Sequence, residues 1–187
     1  MTVIYSNSED ADTIILQEIW RGIPDVTVIE ITSRTDGWED IVNNAINNED
    51  DTLIFAGHGT IHGLLAPLNY SSEEYILHKF NVNLIHAKRS ICIWCMASTF
   101  CFNHRFESLA TSMFISNPRE AFENGCCDVT RDDIERQNIL FYRDLNYLLQ
   151  SDIPFRDWRM KLKVNVDMYD DIDVFNRNGL CYILSNK

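Results

Sequence analysis

The chain has 187 residues, of which 45% are hydrophobic and 11% aromatic, with only 7 glycines and 4 prolines. This length fits one domain over residues 1–187 with a sizeable core, and the composition excludes a disordered or fibrous chain. Lys and Arg number 16 against 28 Asp and Glu, so the net charge of −12 opposes binding to nucleic acid or to an anionic membrane surface.

The sequence contains no apolar run long enough to span a membrane, and its start lacks the basic and apolar segments of a signal peptide. We therefore expect a cytoplasmic protein without a membrane partner. In that compartment the six cysteines are expected to be reduced thiols, most of them buried in the core. No feature of the sequence indicates the oligomeric state.

Strand-like and helix-like segments alternate through the first half of the chain. Short β-rich runs at 3–5, 26–31 and 53–56 are separated by segments of helical period, a pattern typical of a parallel sheet covered by helices. Ser8 is expected to cap the first helix, and apolar residues over 38–46 lie on one face of the second.

The middle of the chain is expected to continue this alternation. A capping-box pattern predicts a short helix over 71–80, and a fourth strand follows at 91–94. A fifth strand is predicted at 113–115, and Asn117 is a suitable N-cap for the helix after it.

The longest predicted helix begins near residue 130. Its apolar residues recur at helical spacing, which predicts buried Phe141, Leu145 and Leu148. Arg136 and Arg143 are expected to remain solvated on the opposite side.

The C-terminal part is predicted to contain a helix over 155–163, a solvated acidic loop over 167–173 and a last strand over 179–184. Together the elements predict a three-layer α/β/α sandwich with a mainly parallel sheet of about six strands.

Two reactive side chains follow neighbouring predicted strands. His58 follows the third strand and Cys95 the fourth. Because the carboxyl ends of parallel strands meet at one edge of a sheet, we expect the imidazole and the thiol to share a cleft. There the imidazole can take the thiol proton, which predicts a nucleophilic thiolate more reactive than the other cysteines. The N–H groups of Gly59 and Cys95 are suited to form an oxyanion hole.

The sequence at these strand ends resembles a known enzyme family. Residues 53–59 followed by 91–95 are similar to the paired strand-His-Gly and strand-Cys blocks of caspase-like cysteine peptidases, which include caspases, metacaspases, clostripain, gingipains, separase and CHAT domains. The resemblance implies the strand order 2-1-3-4-5-6, His58 as general base, Cys95 as nucleophile, and the amides of Gly59 and Cys95 as oxyanion donors. It implies a peptide or protein substrate and neither cofactor nor metal. The stretch 112–121 is similar to that of small bacterial caspase-like proteins.

Some residues depart from the family pattern. Trp94 stands where these enzymes usually have a small residue, and Met96 follows Cys95 where caspases have Arg. A catalytically inactive caspase-like module that binds a protein partner is therefore the alternative to an enzyme. If the chain is an enzyme, its net charge of −12 favours basic substrates.

Two other kinds of site are alternatives to a catalytic pair of His58 and Cys95. Zinc ligation is suggested by the spacing from His58 to His62 and from Cys92 to Cys95, but residues three apart in a strand face opposite ways. A doubly wound phosphate-binding module lacks support, because no Gly-rich loop follows the first strand and 6–8 offers only a weak anion site.

Overall fold

The structure, a computed structural model, describes residues 1–67 and 74–184. The strands within these residues form a central sheet of six and a small sheet of three. In chain order they are β1 (Thr2–Ser6), β2 (Thr27–Ile31), β3 (Thr52–Ala56), β4 (Gly59–Thr60), β5 (Gly63–Leu65), β6 (Tyr75–Leu77), β7 (Arg89–Ile93), β8 (Ser108–Thr111) and β9 (Leu180–Ile183).

The helices of the described residues pack around these strands. Short 3₁₀ turns lie at Ile15–Ile19, Val82–Leu84 and Phe155–Asp157. The α-helices are α1 (Ala11–Ile14), α2 (Trp38–Asn48), α3 (Ala97–His104), α4 (Pro118–Glu123), α5 (Arg131–Leu149), α6 (Trp158–Val164) and α7 (Asp171–Asn178).

The central sheet has the order β2-β1-β3-β7-β8-β9. Its neighbouring strands are parallel except for β8 and β9, which are antiparallel. Numbered within this sheet alone, the order is 2-1-3-4-5-6, as expected. The small sheet, in the order β4-β5-β6, follows β3 in the chain and is antiparallel.

Both faces of the central sheet are covered. Side chains alternate along each strand, so Ile4 and Phe55 join an apolar cluster with α2, α3 and the small sheet. Val3, Tyr5 and Ile54 join a second cluster with α5, α6 and the 3₁₀ turn at 15–19. Burial on both faces explains why these strands are apolar throughout. The arrangement is α/β and consistent with three layers.

The prediction for the longest helix is confirmed. It begins at the N-cap Thr130, and Phe141, Leu145 and Leu148 are at most 3% exposed. The side chains of Arg136 and Arg143 are 60% and 61% exposed, respectively. The predicted helix after Asn117 is also present as α4, and that over 155–163 is present as a 3₁₀ turn followed by α6.

The predicted fifth strand at 113–115 is wrong. The strand in that place is β8, which ends at Thr111, and the chain then leaves the sheet. Phe114 and Ile115 are nevertheless buried, and the N–H of Ile115 donates to the side-chain oxygen of Asn176 at 2.7 Å. A buried loop whose backbone N–H is hydrogen-bonded to a side-chain amide can therefore have the same apolar sequence as a strand.

The predicted helix over 71–80 is wrong from Tyr75 onward, where β6 pairs with β5. Burial of Ile76 and Leu77 in the core outweighs the local capping pattern. The first capping residue of that pattern, Ser71, lies outside the described residues.

Two further expectations differ from the structure, one about a helix cap and one about a loop. The N-cap of α1 is Asp10 and not Ser8, since the Asp10 side chain accepts from the N–H of Thr13. The acidic stretch expected as a solvated loop instead enters α7, where Asp173 is 3% exposed and pairs with the buried Arg177. An internal ion pair therefore replaces the solvation that the charge pattern predicted.

None of the helices in residues 1–67 and 74–184 has the length and apolar character needed to cross a bilayer.

Candidate active site

The register of the central sheet places His58 and Cys95 at the same level. Ala56 of β3 pairs with Ile93 of β7, and each reactive residue lies two positions beyond this pair. Both side chains line one cavity of about 30 Å³ at the carboxyl edge of the sheet, together with Tyr142 from α5. A cavity of this size holds water but no substrate side chain.

The imidazole of His58 is held by a carboxylate from a neighbouring loop. Its Nε2 lies 2.8 Å from Oδ2 of Asp10. Asp10 is fixed in turn, because its Oδ1 accepts from the N–H of Thr13 at 2.8 Å as the cap of α1. The loop after β1 meets the loop after β3 because these two strands are neighbours in the sheet.

The charge of Asp10 decides the direction of this hydrogen bond. Burial raises the pKa of Asp10, but hydrogen bonds from His58 and Thr13 outweigh burial and leave that pKa below its ordinary value. An ionised carboxylate can only accept, so His58 donates through Nε2. In the neutral imidazole the basic nitrogen is then Nδ1.

Cys95 lies in the turn between β7 and α3. The next residue, Met96, has φ of 69° in the left-handed region and is the N-cap of α3. This backbone conformation is costly for a side chain with Cβ, and it is held here by the N–H of Met96, which donates to the carbonyl of Ser112 at 2.9 Å. The chain is thereby turned sharply at the thiol.

The thiol of Cys95 is protonated in this conformation. Burial raises its pKa to about 11, a hydrogen bond with the backbone of Phe114 lowers that pKa in part, and the nearby carboxylates of Glu120 and Asp12 raise it. Sγ lies 3.5 Å from the carbonyl oxygen of Phe114, to which the thiol donates. The acidified thiol expected from the sequence is therefore not found here, because desolvation and negative charge both oppose a thiolate.

Two carboxylates, Asp12 and Glu120, form an acidic pair beside the thiol. Ser116 joins them: its hydroxyl lies 3.1 Å from Oδ2 of Asp12 and 3.0 Å from Oε2 of Glu120. Asp12 lines the same cavity as Cys95 and is also paired with the guanidinium of Arg131. Ser116 and Glu120 come from the stretch 112–121, for which no role was predicted from the sequence.

Gly59 follows His58 and packs against the indole of Trp94. A Cβ at this position would lie 2.1 Å from Cδ1 of Trp94 and 2.7 Å from the carbonyl oxygen of Gly63. The indole Nε1 donates to the carbonyl of Thr60 at 3.2 Å. The bulky Trp94 before Cys95 is thus accommodated because Gly59, its neighbour in the hairpin, has no side chain.

The remaining cysteines lie apart from this cavity. All six are free thiols, with Cys92 and Cys101 buried and Cys127 exposed. Cys92 belongs to the apolar cluster on one face of the sheet, whereas Cys95 packs against the cluster on the other. Within the described parts of the chain, no three His, Cys, Asp or Glu side chains are grouped so that they could hold a metal ion.

No protein-family model, curated protein or solved structure matches this chain. The chemistry of the site therefore follows from its own residues. They are a partly buried thiol, an imidazole fixed by a carboxylate, and an acidic pair beside the thiol.

Sequence reasoning did not find Asp10, Asp12 or Glu120. The position of Asp10 in the first turn of a predicted helix was a weak signal, since acidic residues there are also common caps.

Proposed function

We propose that the chain is a caspase-like cysteine peptidase or amidohydrolase in which His58 and Cys95 form the catalytic dyad. The observation that supports this best is the shared cavity at the ends of two adjacent parallel strands. Ligand sites of open α/β sheets lie at that edge. The strand order also agrees with the order that the caspase-like resemblance implies.

In the proposed reaction the imidazole of His58 accepts the proton of the Cys95 thiol through Nδ1. The sulfur then attacks the carbonyl carbon of a peptide or amide, and a tetrahedral intermediate forms. When the C–N bond breaks, the imidazolium gives its proton to the leaving amine, and a thioester remains on Cys95. Water, deprotonated by the same imidazole, hydrolyses the thioester and regenerates the thiol.

Asp10 is the positioning residue of this scheme. Its carboxylate accepts a hydrogen bond from Nε2 of His58, so that Nδ1 is the unprotonated nitrogen of the neutral ring. The same carboxylate stabilises the imidazolium once it forms. The same carboxyl group caps α1, so its orientation is maintained by a second hydrogen bond.

The oxyanion of the intermediate would be bound by the amides of Gly59 and Cys95. The N–H of Leu65 donates to the carbonyl of His58, so these two residues form a hydrogen-bonded pair of the antiparallel hairpin. The following pair, Gly59 with Leu64, is then of the non-hydrogen-bonded kind, and the amide of Gly59 points away from the hairpin.

Catalysis would require a change in the segment Phe114–Ser116. The cavity of about 30 Å³ is too small for a substrate, and the thiol hydrogen is engaged by the Phe114 carbonyl. If a substrate displaced this segment, the thiol would lose its hydrogen bond to Phe114 and could transfer its proton to His58. The acidic pair Asp12 and Glu120 favours a Lys or Arg side chain beside the scissile bond.

A second function is favoured by one specific observation, the pKa of about 11 for Cys95. A thiol that stays protonated at neutral pH suits a catalytically inactive caspase-like module that binds a protein partner. Under either function, six free cysteines suit a reducing compartment such as the cytoplasm.

Three acyloxymethyl ketone probes, with Lys, Arg or Asp at the recognition position, can distinguish the two functions. For a peptidase we expect covalent labelling of Cys95, loss of labelling in His58→Ala, and release of amine from matching peptide amides. The Cys127→Ser variant is the matched control, because it removes an exposed thiol. No labelling of Cys95 by any of the three probes would favour the binding module.

A further inference from the structure

A second, larger cavity lies on the side of the small sheet. Its volume is about 720 Å³, within the range of small-molecule sites. It is walled by the start of α2, the β4–β5 turn, β6 with the residues after it, and the end of α3. None of its lining residues lines the cavity of His58 and Cys95.

Aromatic rings form much of the wall of this second cavity. Trp38 is 8% exposed and belongs to the core, so its ring is held in place by packing. The hydroxyl of Tyr75 lies 3.2 Å from Oγ1 of Thr60, which fixes the second ring. Phe80 is 79% exposed, which is unusual for so large an apolar side chain. Rigid aromatic faces are suited to flat ligands and to cations.

The charged groups of the cavity are mainly acidic. Glu39 and Glu74 supply two carboxylates, and Lys79 supplies one ammonium group. Burial lowers the pKa of His78 and of His104, although Glu39 raises that of His78 in part, so these imidazoles add little positive charge near neutral pH. The cavity therefore combines aromatic walls with a net negative charge.

One aromatic ring of the cavity already holds a cation. The Nζ of Lys79 lies 4.7 Å from the centroid of the Phe80 ring. This is a cation–π contact made within the chain by an exposed lysine, and a ligand cation of the same kind could replace it.

We propose that this cavity binds an organic cation with an aromatic body, such as an aryl-alkylamine. The ring of the ligand lies against Trp38 and Tyr75, and its ammonium group lies between the carboxylates of Glu39 and Glu74. This site is separate from the proposed catalytic function, since it uses neither His58 nor Cys95.

The direct test is binding of tyramine to the full chain, followed by two-dimensional NMR. Two analogues with the same phenol ring are measured beside it: 4-ethylphenol, which is neutral, and 4-hydroxyphenylacetate, which is anionic. We expect tyramine to bind roughly tenfold more tightly than 4-ethylphenol, and the anion more weakly still. The shifted resonances should include the indole N–H of Trp38.

If the site is specific, two charge variants should change the affinity for tyramine in opposite directions. Glu39→Gln should weaken tyramine binding about threefold to tenfold, whereas Lys79→Gln should strengthen it by removing a positive charge from the wall of the cavity. Both residues are exposed, so folding should be retained and can be verified by circular dichroism. Glu123→Gln on α4 removes the same charge outside the cavity and should change nothing.

Several results would overturn the proposal. One is the absence of tyramine binding up to about 10 mM, and another is equal affinity for the three phenols. A third is a change in tyramine affinity in the same direction in Glu39→Gln and in Lys79→Gln. Binding that persists in Cys95→Ala would support it, because the cavity does not include the thiol. Binding lost in that variant while circular dichroism is unchanged would place tyramine at the catalytic cavity and also overturn it.

Discussion

Asp10 and His58 are joined by a 2.8 Å contact between Oδ2 and Nε2, although they are 48 positions apart in the chain. The contact follows from the pairing of β1 with β3, since each residue lies in the loop after one of these strands. A carboxylate that accepts from an imidazole fixes the tautomer of the ring. It thereby determines which nitrogen of His58 can accept a proton from a thiol.

The first prediction concerns this contact. In Asp10→Asn the side-chain oxygen can still cap α1, but the amide group that replaces the second oxygen donates to Nε2 and reverses the tautomer. We expect the rate of Cys95 labelling by a matched acyloxymethyl ketone to fall about tenfold to a thousandfold, with the fold retained. Asp10→Ala should lose the same rate and, in addition, about 0.5–2 kcal/mol of stability through the lost cap. Unchanged labelling in Asp10→Asn would remove Asp10 from the mechanism.

The second prediction concerns acid stability. The pKa of Asp10 is lowered in the folded chain, so its contribution to stability is full above its ordinary pKa of 3.8 and is lost as the pH falls below it. The stability difference between the wild-type protein and Asp10→Asn should therefore shrink from about pH 6 to about pH 3. Urea unfolding at several pH values measures it. A constant difference would show that the pKa of Asp10 is the same in the folded and unfolded chains.

The third prediction concerns the reactivity of the thiols. Because burial and nearby carboxylates raise the pKa of Cys95 to about 11, iodoacetamide at neutral pH should modify the exposed Cys127 first and Cys95 slowly. The rate at Cys95 should rise with pH toward that value, and peptide mapping by mass spectrometry follows it. Fast modification of Cys95 at neutral pH, dependent on His58, would mean that the dyad is already active without substrate.

The fourth prediction tests the acidic pair. Glu120→Gln removes one negative charge that raises the pKa of Cys95, so that pKa should fall and alkylation at pH 8 should become about twofold to tenfold faster. Asp132→Asn is the matched control, since Asp132 lies exposed in the first turn of α5. Equal rates in the two variants would show that Glu120 does not raise the pKa of the thiol.

Much of the fold could be predicted because the central strands are buried on both faces and therefore read as continuous apolar runs. The errors occurred where long-range contacts decide the local structure. Phe114 and Ile115 are as apolar as a strand but lie in a buried loop held by Asn176. The acidic segment enters α7, where the buried Arg177 pairs with the distant Asp144 of α5 as well as with Asp173.

The candidate site was predictable only in part. Because parallel strands end at the same edge of a sheet, His58 and Cys95 could be predicted to share that edge. The register of β3 and β7 places the two residues at equal distances beyond a pair of partners. Asp10 could not be assigned, because its role depends on where the loop after β1 meets His58. The raised pKa of Cys95 comes first from burial and then from Glu120 and Asp12, which are far from it in sequence and reach it only in the folded chain.

The fifth prediction concerns the hairpin that follows His58. In Gly59→Ala the new Cβ would lie 2.1 Å from Cδ1 of Trp94, so the hairpin or the indole must move. Trp94 is 2% exposed and its Nε1 is bonded to the Thr60 carbonyl, which leaves it little room. We expect a loss of about 1–3 kcal/mol, measured by urea unfolding.

Gly179→Ala provides the matched control for this variant. Gly179 ends α7 with φ of −68°, and a Cβ there would approach no atom closer than 3.4 Å. Its stability should therefore be equal to that of the wild-type protein or slightly higher, because alanine has less freedom in the unfolded chain. If Gly59→Ala were as stable as Gly179→Ala, the hairpin would not pack on Trp94. The amide of Gly59 would then have no fixed position from which to bind an oxyanion.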